Sequence, residues 1–197
     1  MSVAAILLAA GRSTRMGANK LLEHLNGKPL VRQVAEAALA SEAHPVIVVT
    51  GHQQEQVKAA LEGLDLVFIH NADFADGLST SLKAGVAALS AEVTAVIVLL
   101  GDMPLVTSEA MNAVIMAFEA TPEKIAAVPV YKGEWGNPVL LSRVLFGEVA
   151  RLQGDAGARK LLQGRAGEVL EVPIASDAVL IDLDTPEALA KVRMKSN

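Results

Sequence analysis

The chain has 197 residues, enough to bury a full core, and 52% of them are hydrophobic against 20% charged, which excludes a disordered chain. A formal charge of −5 and an aromatic content of 3% exclude a general nucleic-acid binder, which needs a cationic face for phosphates and flat rings for bases. Cysteine is absent, which excludes disulfides, thiolate metal sites and a cysteine nucleophile and agrees with a reducing compartment.

The first apolar run, Val3–Ala9, reads as a buried strand. No basic segment precedes it, and both it and Ala95–Leu100 are too short to span a bilayer, so the expectation is a cytoplasmic protein without membrane contact. Similar β-branched runs recur at Val46–Thr50, Leu66–His70, Val93–Leu100 and Ile125–Val130. Between them, Leu30–Ala40 (opened by Pro29), Gln53–Leu61, Ser79–Leu89 and Ser108–Ala120 carry apolar residues three and four apart, the period of a helix. Strands apolar throughout and alternating with helices predict a three-layer α/β/α sandwich with a mainly parallel, Rossmann-like sheet. After Val130 the rhythm changes. Val139–Leu141 reads as a short strand, a helical stretch starts at Ser142, and Gly154–Gly157 opens a helix through Arg159 to Gln163. Val169–Val172 and Ala178–Ile181 read as late strands, and Thr185-Pro186-Glu187 starts a last helix with a hydroxyl cap and proline in its first turn. Neither an internal repeat nor a low-complexity linker divides the chain, so residues 1–197 are expected to form a single domain.

The segment after the first strand carries the chemistry. Leu8-Ala9-Ala10-Gly11-Arg12-Ser13-Thr14-Arg15-Met16-Gly17-Ala18-Asn19-Lys20 packs glycines, hydroxyls and three fixed cations into one loop. Exposed backbone N–H groups and cations at a strand's carboxyl end suit a triphosphate. The familiar phosphate loops do not fit: five residues separate Gly11 from Gly17, Lys20 precedes Leu21, and Arg12-Ser13 follow Gly11. Asp102, in Leu100-Gly101-Asp102-Met103-Pro104, leaves the most hydrophobic strand at the rim where α/β folds bind ligands. One carboxylate with triphosphate oxygens and water suits Mg²⁺; the alternative is that Asp102 caps the next helix, for which Thr107 or Ser108 is better placed. Asp182 and Asp184 share one side of an extended segment and pair with Asp102 as further metal ligands, unless Asp184 caps the last helix. No histidine spacing suits zinc, and no Gly-x-Ser-x-Gly elbow is present.

The pattern L-A-A-G-x-S-x-R-M-G-x-x-K closely resembles the signature loop of the MobA-like nucleotidyltransferases, in particular the molybdenum cofactor cytidylyltransferases. The likeness runs from Leu8 to Glu187, with D-L-D-T-P-E at Asp182–Glu187 in place of the family's D-I-D-T-P-E. It implies transfer of CMP from CTP to the phosphate of the molybdopterin cofactor with release of pyrophosphate, Mg²⁺ as the metal, and a molybdenum hydroxylase as client. It implies that Leu8, Ala9, Ala10, Gly11, Arg12, Ser13 and Gly17 cradle the nucleotide, with Arg15 and Lys20 on the phosphates and Asp102 on the metal. Thr50-Gly51-His52, with Glu55, matches the cytidylyl form of a segment near the base, and together with Ala10 implies CTP over GTP. Asn71 and the stretch Gly77, Ser79 and Ser81 then border base and ribose; the alternative is that the two serines only begin a helix. Gly136, Asn137 and Pro138, with Arg159 after Gly157, lie where relatives hold the acceptor, or else are turn residues; relatives often carry histidine at the Asn137 position. Two other readings stay open: GTP or another phosphorylated acceptor, and a cofactor-delivery chaperone without turnover.

Overall fold

The computed structural model describes residues 1–11 and 19–195. In chain order the elements are β1 (Val3–Ala9), a hairpin of β2 (His24–Leu25) and β3 (Lys28–Pro29), α1 (Leu30–Leu39), β4 (Val46–Thr50), α2 (Gln54–Ala60), β5 (Val67–His70) and α3 (Leu78–Ala87). They continue with β6 (Ala95–Leu100), α4 (Ser108–Glu119), β7 (Ala126–Tyr131), β8 (Glu134–Trp135), β9 (Val139–Ser142), the single turns α5 (Phe146–Val149) and α6 (Ala158–Leu161), β10 (Val169–Pro173) and α7 (Pro186–Lys195).

The main sheet runs β10-β7-β9-β6-β1-β4-β5, with β8 added to β7. β1 pairs in parallel with β4 (Ala5 opposite Val46) and with β6 (Leu8 opposite Leu100), so it has helices on both faces and every one of its residues is buried. Its alternate side chains serve different layers. Ala5, Leu7 and Ala9 join Val48, Ile97 and Leu99 under α1 and α4, while Ile6 and Leu8 join Ile47, Val49 and Val98 under α3. This two-sided burial is why the strands read as continuous apolar runs, and the expected three-layer sandwich is the observed one. β9 is the reversed member, antiparallel to both β6 and β7. No helix among the described residues is long and apolar enough to cross a membrane.

A third small core, Leu25, Leu30, Leu183, Leu189 and Val192, joins the β2–β3 hairpin and α7 to the start of α1. Arg193 on α7 donates through Nε and Nη2 to the His24 carbonyl, clamping that helix to the hairpin. The hairpin turn is Asn26-Gly27, both at positive φ (53° and 79°), the type I′ geometry that suits a two-residue connection.

Most expected elements form, with ends moved by one or two residues. The strand expected at Ala178–Ile181 does not. Asp177–Leu180 is a 3-10 turn whose start is capped by the Ser176 hydroxyl, and the Val179 carbonyl accepts from the Asn137 N–H at 2.8 Å instead of joining a ladder. The helical stretch from Ser142 is a turn at Arg143–Leu145 followed by α5, and the helix through Arg159 closes early, as α6.

Candidate functional site

β1, β4, β5 and β6 are parallel, so their carboxyl ends share one rim of the sheet. A cleft of 380 Å³ opens there. Ala10 and Gly11 leave β1 into it, Gly101 and Asp102 leave β6 into it, and Phe74 and Gly77 close the far side. The Gly101 N–H donates to the Leu8 carbonyl at 3.1 Å, which keeps the two exits side by side.

Lys20 crosses this cleft. Its Nζ lies 2.6 Å from Oδ2 of Asp102, with side chains 19% and 16% exposed, so a cation and an anion share one sheltered point. The sequence places Lys20 precisely through its neighbours: the Asn19 side chain accepts from the Leu21 N–H, and Leu21 is buried in the core. A partly dehydrated ammonium is a stronger electrostatic partner for phosphate oxygens than one in bulk water. Asp102 is not a helix cap. Thr107 caps α4, its hydroxyl accepting from the Ala110 N–H at 3.3 Å.

The Asp182-Leu183-Asp184 segment runs beside Asp102. The Leu183 N–H donates to the Asp102 carbonyl at 2.8 Å while its side chain is fully buried in the third core, so the two carboxylates flanking Leu183 emerge next to the β6 exit. The cap of α7 falls to Thr185, whose hydroxyl accepts from Ala188. Among the described residues no group of three or more His, Asp or Glu side chains is close enough to hold a metal unaided. The donors on hand are carboxylate oxygens from one or two residues, a set that suits a hard cation completed by substrate phosphates.

The residues expected around the base divide into liners and supports. Leu8, Gly77 and Ser81 line the cleft. Ala9 faces the first core, and Thr50 is fully buried with its hydroxyl donating to the Ile69 carbonyl at 3.3 Å. Gly51 is a support of another kind: a Cβ there would lie 2.6 Å from Cβ of Phe74 and 2.8 Å from Cβ of Ala10, so glycine lets Phe74 settle against the rim. His52 donates its N–H to the Ala10 carbonyl at 3.2 Å, with its ring 6.1 Å from that of Phe74. Asn71 binds α3 to the preceding loop, donating to Thr80 at 2.8 Å and Ser81 at 3.0 Å and accepting from the Asp73 N–H. Ser79 is 1% exposed, and its hydroxyl has no hydrogen-bond partner among the described residues.

Among the cleft residues that the sequence did not point to are Phe74 and Asp155, the latter in a segment expected on the acceptor side. Gly77 brings the second in. At φ 110° it has no Cβ to collide with the Gly154 carbonyl carbon, and the Ser79 N–H donates to Gly154 O at 3.0 Å, drawing the 154–155 turn across the cleft mouth. A lone phenylalanine three residues before a loop glycine that leads into Ser79-Thr80-Ser81 was the available signal for the first.

The expected acceptor residues adjoin this cleft across Leu100. One cavity of 370 Å³ is bounded by Trp135, Asn137, Arg159 and Asp182, and another of 330 Å³ by Asn137, Gly157, Arg159 and Lys160; both share Leu100 with the nucleotide-side cleft. Gly136 is needed because a Cβ would sit 2.5 Å from the Val179 carbonyl oxygen. Pro138 is buried behind Asn137, at the entrance to β9. Arg12, Ser13, Arg15 and Gly17 lie outside the described residues.

Residues 5–170 match the MobA-like NTP transferase domain. Purine catabolism protein PucB of Bacillus subtilis is 32% identical, over 95% of this chain and 94% of its own length. Bifunctional protein GlmU of Geobacter metallireducens is 30% identical over 93% of this chain, which spans only 39% of that longer protein. Among solved structures, Rv0371c of Mycobacterium tuberculosis superposes with a TM-score of 0.84 at 27% identity, covering 98% of each chain, and its complex with manganese superposes at 0.81, covering 98% of this chain and 99% of that one. With the family match over residues 5–170 and a relative 32% identical over nearly its whole length, the chain belongs to the MobA-like NTP transferase family and is a nucleotidyltransferase.

Proposed function

We propose that this protein transfers CMP from CTP to the phosphate of the molybdopterin cofactor, releasing pyrophosphate, with Mg²⁺ as its metal. The observation that carries the reading is the Lys20–Asp102 pair at 2.6 Å, at the join between a nucleotide-sized cleft and two further cavities. The acceptor phosphate is already an anionic nucleophile, so no covalent enzyme intermediate is required. The obstacle is bringing two anions together, and catalysis then comes from neutralisation and alignment.

Lys20, with Arg15, pairs with the triphosphate and with charge that develops during transfer. The Ala10–Gly11 exit supplies backbone N–H groups to the phosphates, and Arg159 holds the acceptor's phosphate from the opposite side of Leu100. Asp102, with Asp182 or Asp184, would hold Mg²⁺. Bound there, the ion would supply positive charge to the phosphates. Support comes from the oxygen-only donor set, from the manganese complex of Rv0371c, and from the purine-catabolic role in the name of PucB.

For the base, Ser81 and Asp155 offer hydrogen-bond acceptors to an exocyclic amine and Phe74 a flat wall, which suits cytosine and agrees with Ala10 and Thr50-Gly51-His52. A site built to hydrogen-bond one base leaves polar groups unmatched with another. Initial rates of pyrophosphate release with CTP and with GTP, at equal concentration with molybdopterin and Mg²⁺, test the reading. A clear CTP preference is expected; equal rates or a GTP preference overturn it. A second reading, a sugar phosphate as acceptor, is separated by the same assay through exchange of the acceptor. Pyrophosphate release with any acceptor excludes a delivery chaperone without turnover.

A further inference from the structure

α7 meets the candidate site at both of its ends. It starts directly after Asp184, where the Thr185 hydroxyl accepts from the Ala188 N–H at 3.2 Å, so the segment carrying Asp182 and Asp184 runs into its first turn. Ten helical residues then cover about 15 Å. At the far end Leu189, Val192 and Arg193 fall three and four apart, on one face of the helix. Leu189 and Val192 are buried with Leu25 and Leu30, while the Arg193 guanidinium donates to the His24 carbonyl through Nη2 and, at 3.2 Å, through Nε. Its approach to the Glu23 carboxylate is longer, 3.8 Å, between two exposed side chains, so that ion pair adds little. From His24 the route to Lys20 is short. The Glu23 N–H donates to the Lys20 carbonyl at 3.1 Å, and the Glu23 carbonyl accepts from the Leu30 N–H at 2.9 Å, which closes the Lys20–Leu22 turn against the hairpin and α1. Lys20 reaches Asp102, and the Asp102 carbonyl accepts from Leu183, a member of the same small core as Leu189 and Val192. The contacts thus return to the helix from which they began.

We infer that Arg193 is a positioning residue for Lys20, holding the lysine-bearing turn in place from the end of the chain through the His24 carbonyl. The inference rests on the role proposed for Lys20 above and deepens it, by naming what fixes the ammonium against the phosphates. Lysine carries its charge on a flexible four-carbon stem, so the place of the ammonium depends on where the backbone stands. The buried Leu21 fixes one side of the turn in the first core, and Arg193 fixes the other through the hairpin. The residue type matters, because a guanidinium offers two N–H groups to one carbonyl in fixed geometry, whereas an ammonium is a point charge. Asp102, Asp182 and Asp184 have anchors of their own, in β6 and in the Leu183 bond and side chain. Loss of Arg193 therefore falls on the cation of the site and leaves its carboxylates in place.

A double-mutant cycle and a chemical probe of Lys20 test this, at a temperature where thermal unfolding shows each variant folded. Misplacement of a reacting group by about 1 Å costs up to about a hundredfold in rate, so Arg193→Ala is expected to lower kcat/KM for pyrophosphate release about ten- to a hundredfold. The loss should fall on the same constant, kcat or KM, as that of Lys20→Ala. Arg193→Lys, which keeps one donor, is expected to recover part of it, and carries the test if the alanine variant does not fold. In a Lys20→Ala protein, Arg193→Ala is expected to cost no more than about twofold further, the usual scatter of such cycles. A helix that served stability alone would cost the same factor in both backgrounds. The second readout needs no turnover. In the parent, Lys20 is 19% exposed and paired with Asp102, so its acetylation by limiting acetic anhydride, read by mass spectrometry against Lys124, is expected to rise in Arg193→Ala. Unchanged Lys20 acetylation, an unchanged kcat/KM, or an equal loss in both backgrounds overturns the inference. The two readings fail separately. If the parent releases no pyrophosphate from CTP with molybdopterin, the proposed reaction falls and Lys20 acetylation still decides the role of Arg193; if release is normal and Arg193→Ala changes neither acetylation nor kcat/KM, the positioning role alone falls.

Discussion

The backbone of Leu183 is hydrogen-bonded to the carbonyl of Asp102 at 2.8 Å, linking residues 81 positions apart in the chain at the point where the sheet meets the cleft. The bond fixes the carboxylate-bearing segment against β6, and the fully buried Leu183 side chain fixes it again through the third core. Leu183→Ala is expected to destabilise by about 2–5 kcal/mol, the range for buried leucine truncations. It should also lower kcat, because Asp182 and Asp184 lose their anchor. Thermal unfolding and Mg²⁺-dependent pyrophosphate release read the two effects; loss of stability with full kcat would separate the core from the site.

Lys20→Ala removes the cation from a point where its partner Asp102 is only 16% exposed. If the ammonium meets charge that develops during transfer, the loss falls on kcat, at about 2.7–4 kcal/mol or roughly a hundredfold and more in rate. Steady-state kinetics with CTP decide this. An unchanged kcat with raised KM would reduce Lys20 to uniform binding of the nucleotide.

Ser79 is one of the expected nucleotide contacts that do not line the cleft. Its buried hydroxyl lacks a partner among the described residues, and an unmatched buried hydroxyl costs about 1–3 kcal/mol. Ser79→Ala is therefore expected to raise the melting temperature or leave it unchanged, with kcat/KM for CTP within twofold of the parent. A large fall in kcat/KM would return Ser79 to the nucleotide site.

Acid should loosen the β2–β3 hairpin from α1 through Glu36. The Lys28 ammonium, 2.6 Å away, holds the Glu36 carboxyl below its ordinary value; partial burial opposes this and Arg32 at 3.0 Å adds to it. A carboxyl lowered in the folded state stabilises the fold above its unfolded value and loses that contribution as pH falls through the folded one. Arg32 also donates to the Ala60 and Glu62 carbonyls, so these charges tie the β2–β3 hairpin, α1 and the end of α2 together. The gap in melting temperature between the parent and Glu36→Gln is expected to be present at pH 7 and to close below about pH 4. A gap that persists at pH 3 would rule out the ionic origin.

The strands that position the nucleotide cleft were legible because burial on both faces leaves only apolar residues, as in Ile6-Leu7-Leu8 and Val96–Leu99. Asp102 was legible because a carboxylate directly after such a strand has one place to go. Asp177–Leu180 was misread as a strand: Val179 and Ile181 alternate as strand residues do, but the hydrogen bond that fixes Val179 comes from Asn137, distant in sequence. The β2–β3 hairpin was not read from the sequence, because its two-residue strands are too short for any periodicity, although Asn26-Gly27 stands at its turn. Phe74 could not be read locally, since its place depends on the missing side chain of Gly51, distant in sequence just past the end of β4.

The reversed direction of β9 has a consequence for how such enzymes diversify. Strands β1 and β6 contribute to the rim by leaving the sheet, whereas β9 contributes by entering it, so Asn137 and Pro138 reach the same edge from the opposite chain polarity. The pairing of Val139 with Val98 fixes where that entry ends, whatever precedes it. The hairpin of residues 131–135 can therefore change in length and composition as an interchangeable cassette while the β1 and β6 exits stay in register. Under the proposed reaction, inheritance of the donor half and invention of the acceptor half become independent events, which would let one scaffold serve many acceptors.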